Sequence, residues 1–391
     1  MSRAPALAAP FPFDLAGRRC GMLGAACLAA GLAGAWFSPS QFFRSYLVAC
    51  LLWVGVALGS LGILMLHHLA GGRWGTAIRR PLEASAGTLP ALGLLFAPLL
   101  LGLREIYSWS RPEALADELI RHKSPYLNVP FFIVRVVLYW GIWILISRLL
   151  IRWSAEEERT GSAALPVRMR RFSGPGLALY GLTVTFASFD WVMSLEPRWY
   201  SSIFGVLVLV GQGLSALALM IIVTRRLSRW EPYARVSSPA VFHDLGNLLL
   251  MFVMLWAYLA FSQFLVIWSG NLVEEISWYR PRIQTSWAWI GGGLLLFYFF
   301  VPFLLLLSRR NKRSSLFLAG LAGALLGMRL LDLLWTVEPT FHPGGLFLHW
   351  MDLILPAGLG GVWLALFFRR LQQSPAPPAA ALAEGHGGAH A

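Results

Sequence analysis

Charge is scarce in this chain. Only 13% of its 391 residues are Asp, Glu, Lys or Arg, about half the share found in a soluble domain. A protein wetted on all sides needs more. Acids are scarcer than bases, 19 against 32, for a net charge of +13. Cysteine is almost absent: Cys20, Cys27 and Cys50 lie in or beside the first two apolar runs, with no CxxC and no CxxCH. That argues against c-type haem attachment, an iron–sulfur cluster, structural zinc and a disulfide framework. A phosphate loop, a nucleophile triad and metal-ligand spacing are also missing, so nothing points to an autonomous enzyme.

What remains is apolar. The chain is 57% hydrophobic with a mean hydropathy of +0.62, and several runs exceed the roughly 18 residues that cross a bilayer. In hydrocarbon the backbone must satisfy itself, so these runs are helices. We expect an all-α membrane protein with ten transmembrane helices, at roughly 19–37, 45–69, 83–103, 128–151, 173–195, 200–225, 240–268, 284–308, 314–336 and 346–369. The basic residues cluster beside these runs, which reads as topology rather than nucleic-acid binding. With the N-terminus inside, 22 Arg and Lys fall in inner segments and 8 in outer ones. The positive-inside rule then makes both termini cytoplasmic. The first apolar run follows Arg18-Arg19 and reads as a span, not a cleaved signal. Residues 1–17 are expected as a cytoplasmic tail, and 372–391, rich in Pro, Ala and Gly, as a disordered one.

A nine-residue pattern occurs twice. Phe189-Asp190-Trp191-Val192-Met193-Ser194-Leu195-Glu196-Pro197 is echoed 142 positions on by Leu331-Asp332-Leu333-Leu334-Trp335-Thr336-Val337-Glu338-Pro339. In each copy an Asp sits late in an apolar run, six residues before a Glu-Pro that stops or bends the helix. Helices 2 and 6 also align, from Ser45 and Ser201 through Gly55 and Gly211, at an offset of 156. This predicts two repeated four-helix bundles, helices 2–5 (residues 45–198) and 6–9 (199–340). Helices 1 (18–44) and 10 (341–371) are peripheral. Four helices per unit is an even number, so the repeats run parallel rather than inverted.

Ionisable residues inside spans are costly and mark either function or pairing. Asp190, Glu196, Asp332 and Glu338 would sit toward the outer face. Arg135 in helix 4 is expected to pair with Asp190 or to snorkel. Arg329 and Asp332, three apart, either neutralise each other or face a cavity. His349 and Asp352 have the same spacing in helix 10. At the inner start of helix 7, His243 and Asn247 share a face with Asp244 beside them; they read as the mouth of a proton half-channel or as a helix cap. Glu83, at the expected start of helix 3, reads as a cap or surface residue. Haem b would need facing His pairs at matched depth. His67, His68 and His243 offer one inner pair at most.

Three stretches carry a resemblance: Phe189 through Glu196-Pro197-Arg198-Trp199-Tyr200, then His243-Asp244-Leu245-Gly246-Asn247, then Ala260-Phe261-Ser262-Gln263-Phe264-Leu265-Val266-Ile267-Trp268. Over about residues 18–370 the chain resembles the ActF family of subunits of bacterial alternative complex III. That family belongs to the wider NrfD/PsrC-like group with its doubled-bundle plan. The resemblance implies an integral subunit of a quinol:cytochrome c, or cupredoxin, oxidoreductase with no redox cofactor of its own. Its partners would be an ActC-like sister subunit, an iron–sulfur subunit, c-haem subunits and small membrane subunits. ActF subunits are labelled quinone-binding by homology, but proton conduction is the role the resemblance favours; nothing in composition or spacing shows quinone binding. The rival readings are a stand-alone secondary transporter and a purely structural anchor.

Overall fold

The computed structural model describes residues 13–373. Among them every regular element is helical, and ten helices are long and apolar enough to cross a membrane. They are α1 (Phe13–Phe37), α2 (Pro39–Ala70), α3 (Arg73–Ile106), α4 (Val129–Thr160), α5 (Ala164–Leu195), α6 (Phe204–Leu227), α7 (Pro239–Gly270), α8 (Trp287–Leu307), α9 (Ser315–Thr340) and α10 (Met351–Gln373). The protein is an all-α membrane protein.

Local chemistry sets the helix ends. Asn128 caps α4, its side chain accepting from Phe131 N, with Pro130 in the first turn. Ser238 with Pro239 starts α7 in the same way, and Ser314 caps α9. Left-handed Gly161 and Asn271 close α4 and α7, the backbone conformation a helix stop requires.

Several helices outrun the hydropathy reading. α3 starts at Arg73 rather than 83, α5 at Ala164 rather than 173, and α4 continues to Thr160 rather than 151. Hydropathy marks only the part of a helix in hydrocarbon, and the Arg-bearing turns beyond it stay helical. Likewise α1 begins at Phe13 inside the expected tail, and α10 continues through Gln373. The remainder of both expected tails lies outside the described residues. The α7–α8 connection holds a further helix, Val273–Gln284, which is too polar to register among the expected spans.

The packing closes two rings. α2 contacts α3 and α5, and α4 contacts α3 and α5; α6 contacts α7 and α9, and α8 contacts α7 and α9. The rings meet through α2 against α6, with α5 leaning on α6 and α9 on α2. α2 and α6 are the central helices: their apolar windows are 89% and 72% buried, against 22% for α8. A Cβ at Gly59 would overlap Gln212 O, so this contact requires glycine. α1 and α10 pack on each other and against α2. Gly24 and Gly361 let them approach closely: a Cβ on Gly24 would lie 2.6 Å from Val362 N. Both Glu-Pro turns emerge at one end of the molecule, the motif end. The other end holds the arginine-rich turns.

Candidate functional site

The two motif acids meet different surroundings. In the first ring Asp190 is fully buried, 0% exposed. Arg135 and Tyr139 stand one turn apart on α4 and both face it. Arg135 donates from Nε to Oδ2 at 2.8 Å and from Nη2 to Oδ1 at 2.9 Å, and Tyr139 donates to Oδ2 at 2.8 Å. The guanidinium also donates to Tyr126 O and stacks on the Tyr126 ring, 3.9 Å from its centroid. A carboxylate held by a bidentate fork and a phenol is locked in place. Of the two options for Arg135, pairing is the one that occurs.

In the second ring the arginine has moved. α8 offers none at this level. Instead Arg329, on the same helix as Asp332, donates to its Oδ2 at 2.5 Å. Both options for this pair hold, because Asp332 also faces open space on two sides. Between α2, α6 and α9 lies a cavity of about 40 Å³ lined by Leu51, Gln212, Arg329 and Asp332. That is room for a water or two. A neighbouring cavity of about 20 Å³ shares Gln212 and extends toward Ser188 and Trp143 of the first ring. On the other side Asp332 borders a crevice of about 810 Å³ between α7 and α8, walled by Trp256, Phe264, Leu294 and Trp335. The crevice opens sideways past the exposed Phe261 and Leu295. Tyr298 is buried beside Trp256, with Arg329 and Asp332 close to its hydroxyl. It lies in a π-helical turn, Leu294–Phe300, an irregularity that often marks functional positions.

At the motif end the two Glu residues also differ. Glu196 joins a hub built on Arg282, which is fully buried. Arg282 donates to Glu196 Oε1 at 3.3 Å, to Trp335 O at 3.1 Å, to Thr336 O at 2.7 Å and to Trp278 O, and stacks on the Trp278 ring at 3.7 Å. Burial pushes its pKa down to about 10, opposed by the Glu196 charge. Thr340 donates to the same Glu196 oxygen at 2.7 Å. The first motif's Glu is thus tied to the turn that follows the second motif.

Glu338 has no such tie. It is fully buried, and neither carboxyl oxygen has a hydrogen-bond partner among the described residues. Its neighbour His342 holds Nε2 3.9 Å from Oε2. Burial and Arg44 push the His342 pKa down, with Asp352 opposing. Asp352 is itself bonded: it accepts from Gln41 at 3.1 Å, from Ser45 at 2.5 Å and from His349 N at 2.7 Å. His349 therefore contributes its backbone amide to this cluster.

The α7 residues lie at the opposite end. Ser238 is the cap, so His243, Asp244 and Asn247 stand inside the helix. His243 and Asp244 are half-buried and Asn247 is exposed. His243 Nδ1 lies 3.7 Å from Asp244 and 3.4 Å from the Asn247 amide nitrogen, and Lys312 donates to Asn247 Oδ1 at 2.7 Å. Between them and Asp332 the buried face of α7 is Leu249, Val253 and Trp256, with no polar step.

Glu83 corrects the cap reading. Because α3 starts ten residues earlier than expected, Glu83 is mid-helix and buried. It accepts from Arg79 at 3.0 Å, Arg80 at 2.5 Å and Ser154 at 2.5 Å, while Arg79 also reaches Glu157 and Arg80 reaches Glu158. The spacing Arg79-Arg80-x-x-Glu83 was the available signal for this network. Arg282 and Arg44 carry no sequence signal of their place, and only folding brings them against the motif turns. Tyr298 had no signal inside its apolar run. No three His, Cys, Asp or Glu residues gather as a metal site among the described residues. No protein-family model and no curated protein matches the chain.

Proposed function

We propose that this chain is a membrane subunit of a respiratory quinol:electron-acceptor oxidoreductase of the alternative complex III type. It carries no redox cofactor of its own, anchors the complex and moves protons. The motif end faces outward and the arginine-rich end the cytoplasm of a bacterial inner membrane, a reading supported by the uneven spread of Arg and Lys. Its partners are an ActC-like sister subunit and the iron–sulfur and c-haem subunits, which carry the electrons.

One observation carries the proton reading. Asp332 stands between a water-sized cavity and a membrane-facing crevice, and Glu338, six residues on, is a buried carboxyl with no hydrogen-bond partner. Glu338 has no fixed donor and Asp332 is held by Arg329 alone on one side of a cavity, whereas Asp190 is clamped by both Arg135 and Tyr139. Asp332 and Glu338 form the outer half of the path, with His243 and Asp244 at the inner mouth. Water must bridge the apolar stretch of α7 between them.

The test is reconstitution of the assembled complex in vesicles. Asp332→Asn and Glu338→Gln should leave assembly and quinol oxidation in place while the protons released per quinol fall. Full proton output from both assembled variants favours the anchor reading. Elution of the wild-type chain from mild detergent free of haem absorbance favours the stand-alone transporter.

A further inference from the structure

We propose that the groove between α4 and α5 at the arginine-rich end binds the phosphate of an anionic glycerophospholipid, with an acyl chain lying along its apolar wall. The groove has a volume of about 680 Å³ and is lined by Trp153, Val167, Arg168, Arg171, Phe172 and Pro175. Arg168 and Arg171 are three residues apart on α5 and share a face. The Arg168 guanidinium is stacked over the Trp153 ring at 4.3 Å, and Phe172 meets that ring edge-on at 5.2 Å. Stacking fixes the plane of the guanidinium and leaves its edge donors free, the arrangement that suits a phosphate.

The nearby acids do not compete. Glu157 and Glu158, at the end of α4, are used by Arg79 and Arg80 of α3. No carboxylate among the described residues comes within ion-pair distance of Arg168 or Arg171. Buried arginines of α3 thus take up Glu157 and Glu158, and the third acid of this turn, Glu156, forms no ion pair with Arg168 or Arg171, which leaves two exposed cations beside a tryptophan.

Depth and shape select the occupant. Trp153 lies seven residues before the end of α4, roughly 10 Å along the axis at 1.5 Å per residue. That is headgroup depth, where tryptophan concentrates. Basic pockets between helices at this level hold anionic headgroups. The wall formed by Val167, Phe172 and Pro175 continues to the exposed Leu179 and Leu182, a track for hydrocarbon that a free phosphate would not use. A zwitterionic headgroup would bring its own ammonium beside the two arginines, so net-anionic lipid is preferred.

The experiment uses the full chain in detergent, stripped of lipid and titrated with phosphatidylglycerol, phosphatidylcholine or glycerol phosphate. Thermal unfolding and native mass spectrometry are the readouts. Wild type should retain phosphatidylglycerol adducts and be stabilised by them, and by neither of the other two. Arg168→Gln/Arg171→Gln should weaken that binding on the order of 30-fold, at about 1 kcal/mol per arginine. Arg225→Gln/Arg226→Gln, at the same end on α6, should leave it unchanged. Equal stabilisation by phosphatidylcholine or by glycerol phosphate, binding within twofold of wild type in the first variant, or equal loss in the second, would each overturn the proposal.

Discussion

Arg282 Nη1 donates to Glu196 Oε1 at 3.3 Å and so joins the α7–α8 connection to the end of α5. The same guanidinium holds the carbonyls of Trp335 and Thr336 in the final turn of α9. One side chain therefore fastens both motif turns. Removing it leaves a carboxylate and buried carbonyls without their donor.

Arg282→Gln should cost roughly 3–5 kcal/mol, the usual result of breaking a buried pair from one side. Glu196→Gln should cost roughly 3 kcal/mol, because it leaves the fully buried Arg282 without its counter-charge although the amide oxygen still accepts from Thr340 and Arg282. Denaturant unfolding in detergent micelles measures both. Equal and small losses would mean that the hub holds nothing together.

Asp190 and Arg135 test the clamp in the first ring. Asp190→Asn or Arg135→Gln alone should each destabilise by roughly 3–5 kcal/mol, since each leaves its partner buried and uncompensated. The double variant should lose less than the sum of the two. Additive losses in that cycle would show that the residues do not act on each other.

Much of this was readable beforehand, for stated reasons. Apolar length gave the ten spans. The i,i+3 spacing of Arg329 and Asp332 offered a pair or a cavity-facing group, and the structure holds them 2.5 Å apart beside a cavity. What escaped was whatever depends on contact between distant segments. Arg282 sits beside Pro281 in a polar stretch and carries no mark of its burial. The two motif copies look alike in sequence, yet Asp190 is clamped by α4 while Asp332 faces cavities. That difference is set by a single substitution of place: the arginine is on the neighbouring helix in one ring and on the same helix in the other.

The α2–α6 contact is predicted to be the least tolerant place in the fold. Gly59→Ala must push Gln212 backbone away and should cost roughly 1–3 kcal/mol. Gly320→Ala, where an added Cβ meets nothing within 4 Å, should be neutral or slightly stabilising, since alanine favours the helix by up to about 1 kcal/mol. Thermal unfolding of the two variants side by side checks the ranking. A stable Gly59→Ala protein would mean that the central helices have slack.

The last prediction concerns acid. His342, in the α9–α10 connection, has its pKa pushed below 6.5 by burial and by Arg44. The groups facing it are Glu338 at 3.9 Å, Arg44 from α2 and Asp352 from α10. In the unfolded chain the imidazole takes up its proton near 6.5, while in the folded protein it does so only at lower pH. Between those two values the unfolded state binds more protons, so stability rises with pH there. The contribution of neutral His342 is complete above 6.5, declines as pH falls below it, and levels off once the folded imidazole is also protonated. Wild type should therefore lose more stability than His342→Gln when pH drops from about 7 to about 5. Unfolding midpoints across that range, wild type against variant, give the answer. An equal or larger acid loss in His342→Gln would mean that Glu338 and Asp352 welcome the imidazolium, and that Arg44 does not govern this cluster.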